Sequence, residues 1–337
     1  MPRMLFWFLR ILKILTFRRI LNLIQIEISY RLGLIFKNLQ PWGKPISISI
    51  EPTTSCNLQC PECPSGLRAF SRPTGQIEMA TLQKIMEQLH RQLMYVTFYF
   101  QGEPLLVKAF PEMVKYIKNH RILVATSTNG HFLNAEMAMK LVESGLDRLI
   151  ISLDGTDEAT YTLYRRNGEF DRVIQNIKTM VETKRKAKSS SPWIELQFIV
   201  FGHNEHQIDE IKNLARSLQV DQLSLKTAQI YSFEQGSPLI PSKQEFSRYA
   251  KNEEGNYQIK SKLPNHCHRS WNTAVVTWDG DWVPCCFDKD AQYRFGNLHK
   301  DTVAQIKNKE PYRNFLTQIR RDRKQIDICR NCTEGMR

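Results

Sequence analysis

The sequence predicts an α/β protein: a partial (βα)6, TIM-like barrel with an N-terminal helical leader and a small C-terminal cysteine-bearing domain. Three observations carry this. Six short β-type runs alternate with stretches of helical period between residues 46 and 226, the signature of a parallel sheet covered by helices. Six units fall short of the eight that close a full barrel. The eight cysteines form two groups about 200 residues apart, one at the end of the first predicted strand and one near the C-terminus. The 337 residues therefore divide at 1–44, 45–235 and 236–337.

The leader, residues 1–38, mixes apolar residues with bases. A secretory signal needs an unbroken apolar run and a small-residue cleavage site, but Arg10, Lys13, Arg18 and Arg19 break the run. The longest uncharged stretch, 20–26, is far too short to span a membrane. On a helical wheel Arg3, Arg10 and Lys13 lie within about 80° of one another, opposite Phe6, Leu9 and Phe17. Two readings stand. A basic amphipathic helix can lie in an anionic membrane surface; alternatively, the segment is a collar packing its apolar side onto the main domain, for which 20–36 is apolar enough.

Charge follows the same division. Of the net +13, residues 1–44 carry eight Lys/Arg and one acid, and residues 300–337 carry ten and five. The middle is balanced, with 29 bases and 28 acids. A nucleic-acid-binding fold spreads bases over a working face, so the neutral centre argues against a nucleic-acid modifier.

Through the middle, strands are expected at 46–52, 94–100, 122–126, 148–153, 193–200 and 222–226. Helices are expected at 77–92, 109–119, 134–144, 170–186 and 206–218, with a basic, Ser-rich loop at 184–192. In such sheets chemistry sits at the carboxyl ends of strands. The first four ends lead into Cys56–Cys63, Gln101-Gly102-Glu103-Pro104, Ser127-Thr128-Asn129-Gly130 and Ser152-Leu153-Asp154-Gly155. Gly, Asn and Asp make turns anywhere; a cysteine triplet at the first end has no such account.

That triplet is Cys56-Asn57-Leu58-Gln59-Cys60-Pro61-Glu62-Cys63. Three thiolates on one short loop can hold three corners of a [4Fe–4S] cube and leave one iron free. A structural zinc site wants a fourth Cys or His nearby, and none lies between Cys63 and His90. Such clustering also suits a metal better than disulfides, which places the chain in a reducing cytoplasm, with the basic leader free to meet the inner face of the membrane.

At this triplet the sequence resembles the radical S-adenosylmethionine (SAM) superfamily over about 46–230. The resemblance implies that the open iron chelates SAM's methionine moiety. Gln101, Gly102, Glu103 and Pro104 resemble the superfamily's GGEP-type motif facing the methionine ammonium. Ser127 or Asn129, and Ser152 or Asp154, match positions that approach ribose and methionine. Arg165 falls where similar enzymes place a carboxylate-binding Arg, a role suited to a fork-shaped donor. Two positions depart from the pattern: Gln101 replaces the first Gly, and Glu62 replaces the aromatic that packs by the adenine.

In the C-terminal part, Asp279-Gly280 divides residues 274–278 from 281–284, a hairpin signal. Cys267 precedes it, Cys285 and Cys286 follow it, and Cys329-x2-Cys332 lies beyond. Four thiolates complete a zinc site or an iron–sulfur cluster equally well on count alone. The layout resembles the shortened SPASM ("twitch") domain, which implies one auxiliary [4Fe–4S] cluster on Cys267, Cys285, Cys329 and Cys332, with Cys286 spare. His266 and His268 are read as structural. Two short basic helices near 302–325 offer either a solvated face or a docking face for a reducing partner such as flavodoxin or ferredoxin.

By resemblance the chain is an enzyme that cleaves SAM reductively and abstracts a substrate hydrogen. The auxiliary cluster then suits a two-electron oxidation of a small or carbohydrate-like substrate, as in aminocyclitol dehydrogenases and anaerobic sulfatase maturases. Polar residues on late strand ends, Gln197, Asn204, Lys226 and Gln229, are the candidates to face it. The competing readings are a peptide-modifying maturase and a non-catalytic metal scaffold at a membrane surface.

Overall fold

The computed structural model describes residues 3–36 and 40–334; Met1, Pro2, Lys37 and Asn38 of the leader segment lie outside them. Six strands, β1 (Ser47–Ile50), β2 (Tyr95–Thr97), β3 (Leu123–Thr128), β4 (Arg148–Ser152), β5 (Trp193–Val200) and β6 (Gln222–Thr227), form a parallel sheet in sequence order. Helices separate them, as the alternating periods require. Their register aligns Ser152 with Gln197 and Gln197 with Ser224. Directly paired residues share a face, so Arg148, Ile150 and Ser152 point with Glu195, Gln197 and Ile199 into the lumen. Low in that lumen, Arg148 Nε donates to the buried Glu195 carboxylate at 2.8 Å.

The sheet continues past β1. After a small hairpin, β7 (Tyr249–Lys251) with β8 (Tyr257–Ile259), strand β9 (Thr273–Val276) pairs parallel with β1. Strands β10 (Asp281–Val283) and β11 (Gly296–Asn297) follow antiparallel, giving nine strands in one sheet. The hairpin foreseen around Asp279-Gly280 is present, and it covers the open edge of the barrel's first strand. An uncovered β1 would present a row of unpaired N–H and C=O groups.

The leader forms two helices, Arg3–Ile14 and Phe17–Ile35, laid across the N-terminal ends of the barrel strands. Thr16 between them accepts a hydrogen bond from Arg19 N at 3.3 Å. Phe6 is buried against Trp193, the first residue of β5, at 4.9 Å between rings. Arg10 pairs with Asp147, a buried carboxylate that also accepts from Lys118 Nζ at 2.5 Å and Val124 N at 2.8 Å. The buried Arg19 guanidinium donates to four carbonyls: Ile14 at 2.6 Å, Arg121 at 2.7 Å, His120 at 3.1 Å and His90 at 3.2 Å. Further along, Tyr30 Oη meets His266 Nδ1 at 2.9 Å, and Gly33 sits where a Cβ would be 2.9 Å from the Trp271 ring.

The collar reading holds in position but not in facing. The strand ends offer carbonyls and Asp147, which attract bases, so Arg10 and Arg19 turn inward with Phe6, Ile26 and Tyr30. Leu9, Leu12, Phe17, Leu21, Ile24, Ile28 and Ile35 are left facing out, Phe17 being 81% exposed. No helix among the described residues is long and apolar enough to cross a membrane.

Replacing Arg19 strands four carbonyls together. Arg19→Ala is expected to cost about 2–4 kcal/mol, read as a lower denaturation midpoint, whereas the exposed neighbour Arg18→Ala should change stability by less than about 0.5 kcal/mol.

Candidate active site

Strand β1 runs into Glu51, a buried carboxylate gripped by the equally buried Arg72 through two bonds, Nη1 to Oε2 at 2.8 Å and Nη2 to Oε1 at 2.5 Å. Burial raises the Glu51 carboxyl, and Arg72 works against that rise. The pair closes the base of the loop that carries the first three cysteines. Thr54 N to Gly75 O at 3.0 Å and Ile77 N to Pro52 O at 2.8 Å extend the closure. Trp278, in the turn between β9 and β10, rests on Gly75, where a Cβ would lie 2.6 Å from its ring, and its backbone N–H donates to Glu51 Oε2 at 3.3 Å.

Within this loop Cys56, Cys60 and Cys63 are free thiols, as are all eight cysteines. Gly66 packs against the Cys60 backbone so closely that a Cβ would stand 2.6 Å from Cys60 N. The second strand end is stitched to the same loop. Gly102 has φ +73 and would place a Cβ 2.2 Å from Thr53 O, so only glycine fits. Ser65 Oγ accepts from Gly102 N, and Ser55 O from Glu103 N, both at 2.8 Å.

The Glu103 carboxylate is engaged within the protein. It accepts from Thr128 Oγ1 at 2.7 Å, Asn129 N at 2.8 Å and Leu105 N at 3.0 Å, and burial raises its carboxyl against those bonds. It ties the second strand end to the third, while Pro104 opens a buried turn behind it. Asn129 Nδ2 reaches Asn57 Oδ1 at 2.8 Å and the Cys56 sulfur at 3.8 Å. Leu58 N donates to the same sulfur at 3.4 Å, and burial pushes the Cys56 thiol up to about 12.

Arg165 ends the short helix Glu158–Tyr164. Its Nε donates to Asp154 Oδ2 at 2.7 Å and its Nη1 approaches the Cys60 sulfur at 3.9 Å. Against the burial that works to discharge it, Asp154 and Cys60 hold the guanidinium well above its ordinary range. Asp154 is thus a positioning residue, its other oxygen taken by Ile199 N at 2.8 Å.

A cavity of about 250 Å³ lies among these groups. The three cysteines, Gln101, Gly102, Glu103, Ser127, Asn129, Ser152 and Arg165 all line it; Asp154 and Pro104 stand behind. Glu62 also borders it, accepting from Tyr231 N at 2.9 Å, and Tyr164 supplies an aromatic wall. Of the candidates on late strand ends, Gln197 and the exposed Lys226 share the lumen face with Ile199. Gln229 lines an adjoining cavity of about 510 Å³. Asn204 is different: fully buried, its amide donates to Asp154 O and Ile199 O at 3.0 Å and accepts from Phe201 N at 2.8 Å. It braces a strand end and faces no substrate.

Cys267, Cys285, Cys329 and Cys332 line a second, narrow cavity together, and Cys286 stands outside it, 3.7 Å from Arg269 Nη1. The buried Arg323 donates to the Cys332 sulfur at 3.2 Å and to His266 O at 3.0 Å, and Glu334 N donates to the same sulfur at 3.3 Å. Donors aimed at sulfur fit thiolates that hold a cluster. Among the described residues no three His, Cys, Asp or Glu side chains have the spacing of a single-ion site; a cube, larger than one ion, spreads its ligands farther apart. His266 and His268 both meet Tyr30 of the leader. In the basic helix Glu310–Asp322, Arg320 lies 4.7 Å over the Trp271 ring, which removes it from any open docking face.

Sequence reasoning missed Lys289, which borders both the 250 Å³ and the 510 Å³ cavities. Its ammonium lies 4.6 Å over the Tyr231 ring; burial lowers it, against the pull of Cys63, Cys286 and Glu62. It also missed Arg72 and Arg323, whose partners are remote in sequence; no local signal marks any of the three.

This arrangement is that of an iron–sulfur SAM enzyme, and comparison with known proteins agrees. Residues 50–218 match the radical SAM superfamily and residues 267–333 match the SPASM iron–sulfur cluster-binding domain. The chain belongs to the radical SAM superfamily and is an enzyme with a SAM-binding [4Fe–4S] cluster and a SPASM-type auxiliary iron–sulfur domain. It is 25% identical to the tungsten-containing aldehyde ferredoxin oxidoreductase cofactor-modifying protein of Pyrococcus furiosus, over 79% of this chain and 82% of that one. It is 29% identical to the mycofactocin maturase MftC of Mycobacterium ulcerans over 51% of this chain and 44% of the maturase. The fold matches that of anSMEcpe with bound AdoMet, with a TM-score of 0.61 and 17% identity over 87% of this chain and 86% of that one.

Removing one partner of a buried ion pair costs about 3–5 kcal/mol. Arg72→Ala is therefore expected to destabilise by that order and to lower iron bound at the first three cysteines, measured by iron analysis on a Cys267/Cys329→Ala background. Full iron occupancy there would show that the loop closes without the pair.

Proposed function

We propose that the enzyme oxidises a small or carbohydrate-like substrate by two electrons. Cys56, Cys60 and Cys63 hold the cluster that binds SAM, and Cys267, Cys285, Cys329 and Cys332 hold one auxiliary [4Fe–4S] cluster. The observation that carries this reading is the placement of Lys289, four residues past Cys285, on the border of both cavities. A substrate held there has the SAM site on one side and the auxiliary thiols a few residues away on the other. When bound, the cluster and SAM would supply a 5′-deoxyadenosyl radical to take one hydrogen atom, and the auxiliary cluster would accept the second electron.

The chain's own residues prepare the site. Arg165, fixed by Asp154, presents a guanidinium to a carboxylate; Asn129, Ser127 and Ser152 offer hydrogen bonds along the cavity wall. Leu58, Tyr164 and Phe201 pack an apolar cluster beside the cysteine loop that keeps water from it. Gln229 and Lys289 face the substrate side. Arg313 and Arg321 are exposed bases on which a small reducing protein such as flavodoxin or ferredoxin would dock to supply the electron SAM cleavage needs. The maturase relative favours a second reading, a peptide substrate, which the wide 510 Å³ cavity could also receive.

Anaerobically reconstituted protein should hold about eight irons per chain, as two cubes require, and form 5′-deoxyadenosine from SAM and dithionite. Cys56/Cys60/Cys63→Ala should abolish that product. Cys329→Ala should keep it while losing about half the iron. Zinc in place of iron ends the proposal. Metabolite profiles of a deletion strain, set against its peptides, separate the two substrate classes.

The outward apolar face of the leader supports peripheral membrane contact through residues 1–38. Phe17→Ser/Ile24→Ser removes two exposed anchors, each worth about 1.5–3 kcal/mol when buried, so co-sedimentation with liposomes should fall more than tenfold. Equal pelleting of variant and parent sinks this contact.

A further inference from the structure

We propose that a cleft at the N-terminal end of the barrel binds the phosphate headgroup of an anionic lipid. This rests on the membrane reading above and gives it a partner. The cleft, about 480 Å³, is lined by residues 16–19 at the elbow between the leader helices and by His90, Arg91, His120 and Arg121 of the barrel. Among the described residues no acidic side chain lines it. Two barrel helices, Met79–Leu89 and Phe110–Asn119, end at these residues.

Arg19 assembles the site without serving it. Its guanidinium is spent on the carbonyls of Ile14, His90, His120 and Arg121, drawing the elbow and both barrel loops together. Arg121 takes φ +54 to present its carbonyl there. The remaining bases, Arg18, Arg91 and Arg121, are exposed, and none makes an ion pair among the described residues. Three exposed guanidiniums lining one cleft leave it positively charged and favour an anion there. The His90 and His120 rings pack 4.7 Å apart beside them, and His120 Nε2 is buried with no hydrogen-bond partner. Fork-shaped donors lining one cleft from three elements suit a phosphate, whose oxygens accept several bonds at once.

The surroundings select a lipid. Phe17 lines the same cleft and is 81% exposed. From it Leu21, Ile24, Ile28 and Ile35 continue at helical spacing along one outward face. A phosphate seated among Arg18, Arg91 and Arg121 therefore has apolar residues beside it, where acyl chains would lie. Charge next to an apolar stripe is the pattern of a headgroup-depth contact.

The test uses the full chain with vesicles of phosphatidylcholine alone and with phosphatidylglycerol added. Arg91→Gln/Arg121→Gln should weaken binding to the phosphatidylglycerol vesicles by about 30-fold, with iron content and 5′-deoxyadenosine formation unchanged. Arg68→Gln/Lys108→Gln removes the same charge from loops at the opposite end of the barrel and should leave binding nearly intact. Equal loss in both variants overturns the cleft and leaves only general attraction of bases to the surface. Binding of the parent to both vesicles that neither variant alters also overturns the cleft while the membrane contact stands. A parent chain that binds neither vesicle removes the membrane contact itself. Saturable binding of inorganic phosphate at Arg91 and Arg121 without vesicle binding overturns the lipid in favour of a soluble anion.

Discussion

The cysteine loop depends on one buried ion pair. A chain of about twenty residues leaves β1, presents three thiols and returns, and its conformational entropy works against holding those thiols in one geometry. Glu51 and Arg72 meet at its base with two parallel bonds in a setting almost without water, where geometry decides whether a pair repays its desolvation. Because Trp278 donates to the same carboxylate, the pair also fixes where the C-terminal hairpin meets the loop. The strand ends that follow are fastened to this closed loop in turn: Gly102 through its backbone, Thr128 and Asn129 through Glu103, Asn129 again through Asn57. The cavity lined by the three cysteines is the space such fastening leaves.

Much of this could be read from the chain. Alternating periods marked six strands and their helices, and the two helices at 135–143 and 170–186 fall almost where expected because their apolar faces, and the Asn134 cap of the first, are local. The three cysteines were legible from spacing alone, and Ser127, Asn129, Ser152 and Arg165 reach the same cavity. Partnerships between remote residues were not legible. Glu103 looked available for a ligand, yet its acceptors serve the third strand end; Asp154 looked like a contact and instead holds Arg165; Asn204 looked polar and late in the barrel and is sealed inside. A polar residue's role is set by which groups the fold brings to it, and a sequence records only the residue.

The leader shows the same limit at larger scale. A helical wheel separates bases from apolar residues but does not say which side meets the protein. The answer lies in the barrel's N-terminal end, where carbonyls, Asp147 and the rim of β5 are better partners for Arg10, Arg19 and Phe6 than for an apolar stripe. The cysteine-lined cavity lies at the carboxyl ends of the barrel strands, and the leader covers the opposite end.

The single sheet from β11 to β6 has a mechanical consequence. Strands β9 and β1 share a backbone ladder, so the portion bearing the second cysteine group cannot swing on a hinge relative to the first. The two cysteine groups are spaced by a backbone ladder rather than by a linker. Amides of β1 should then exchange with solvent at the pace of β9, as one cooperative unit. A chain stopped before residue 267 would lose more than a cluster: it would bare the edge of β1, a ready template for pairing with another molecule.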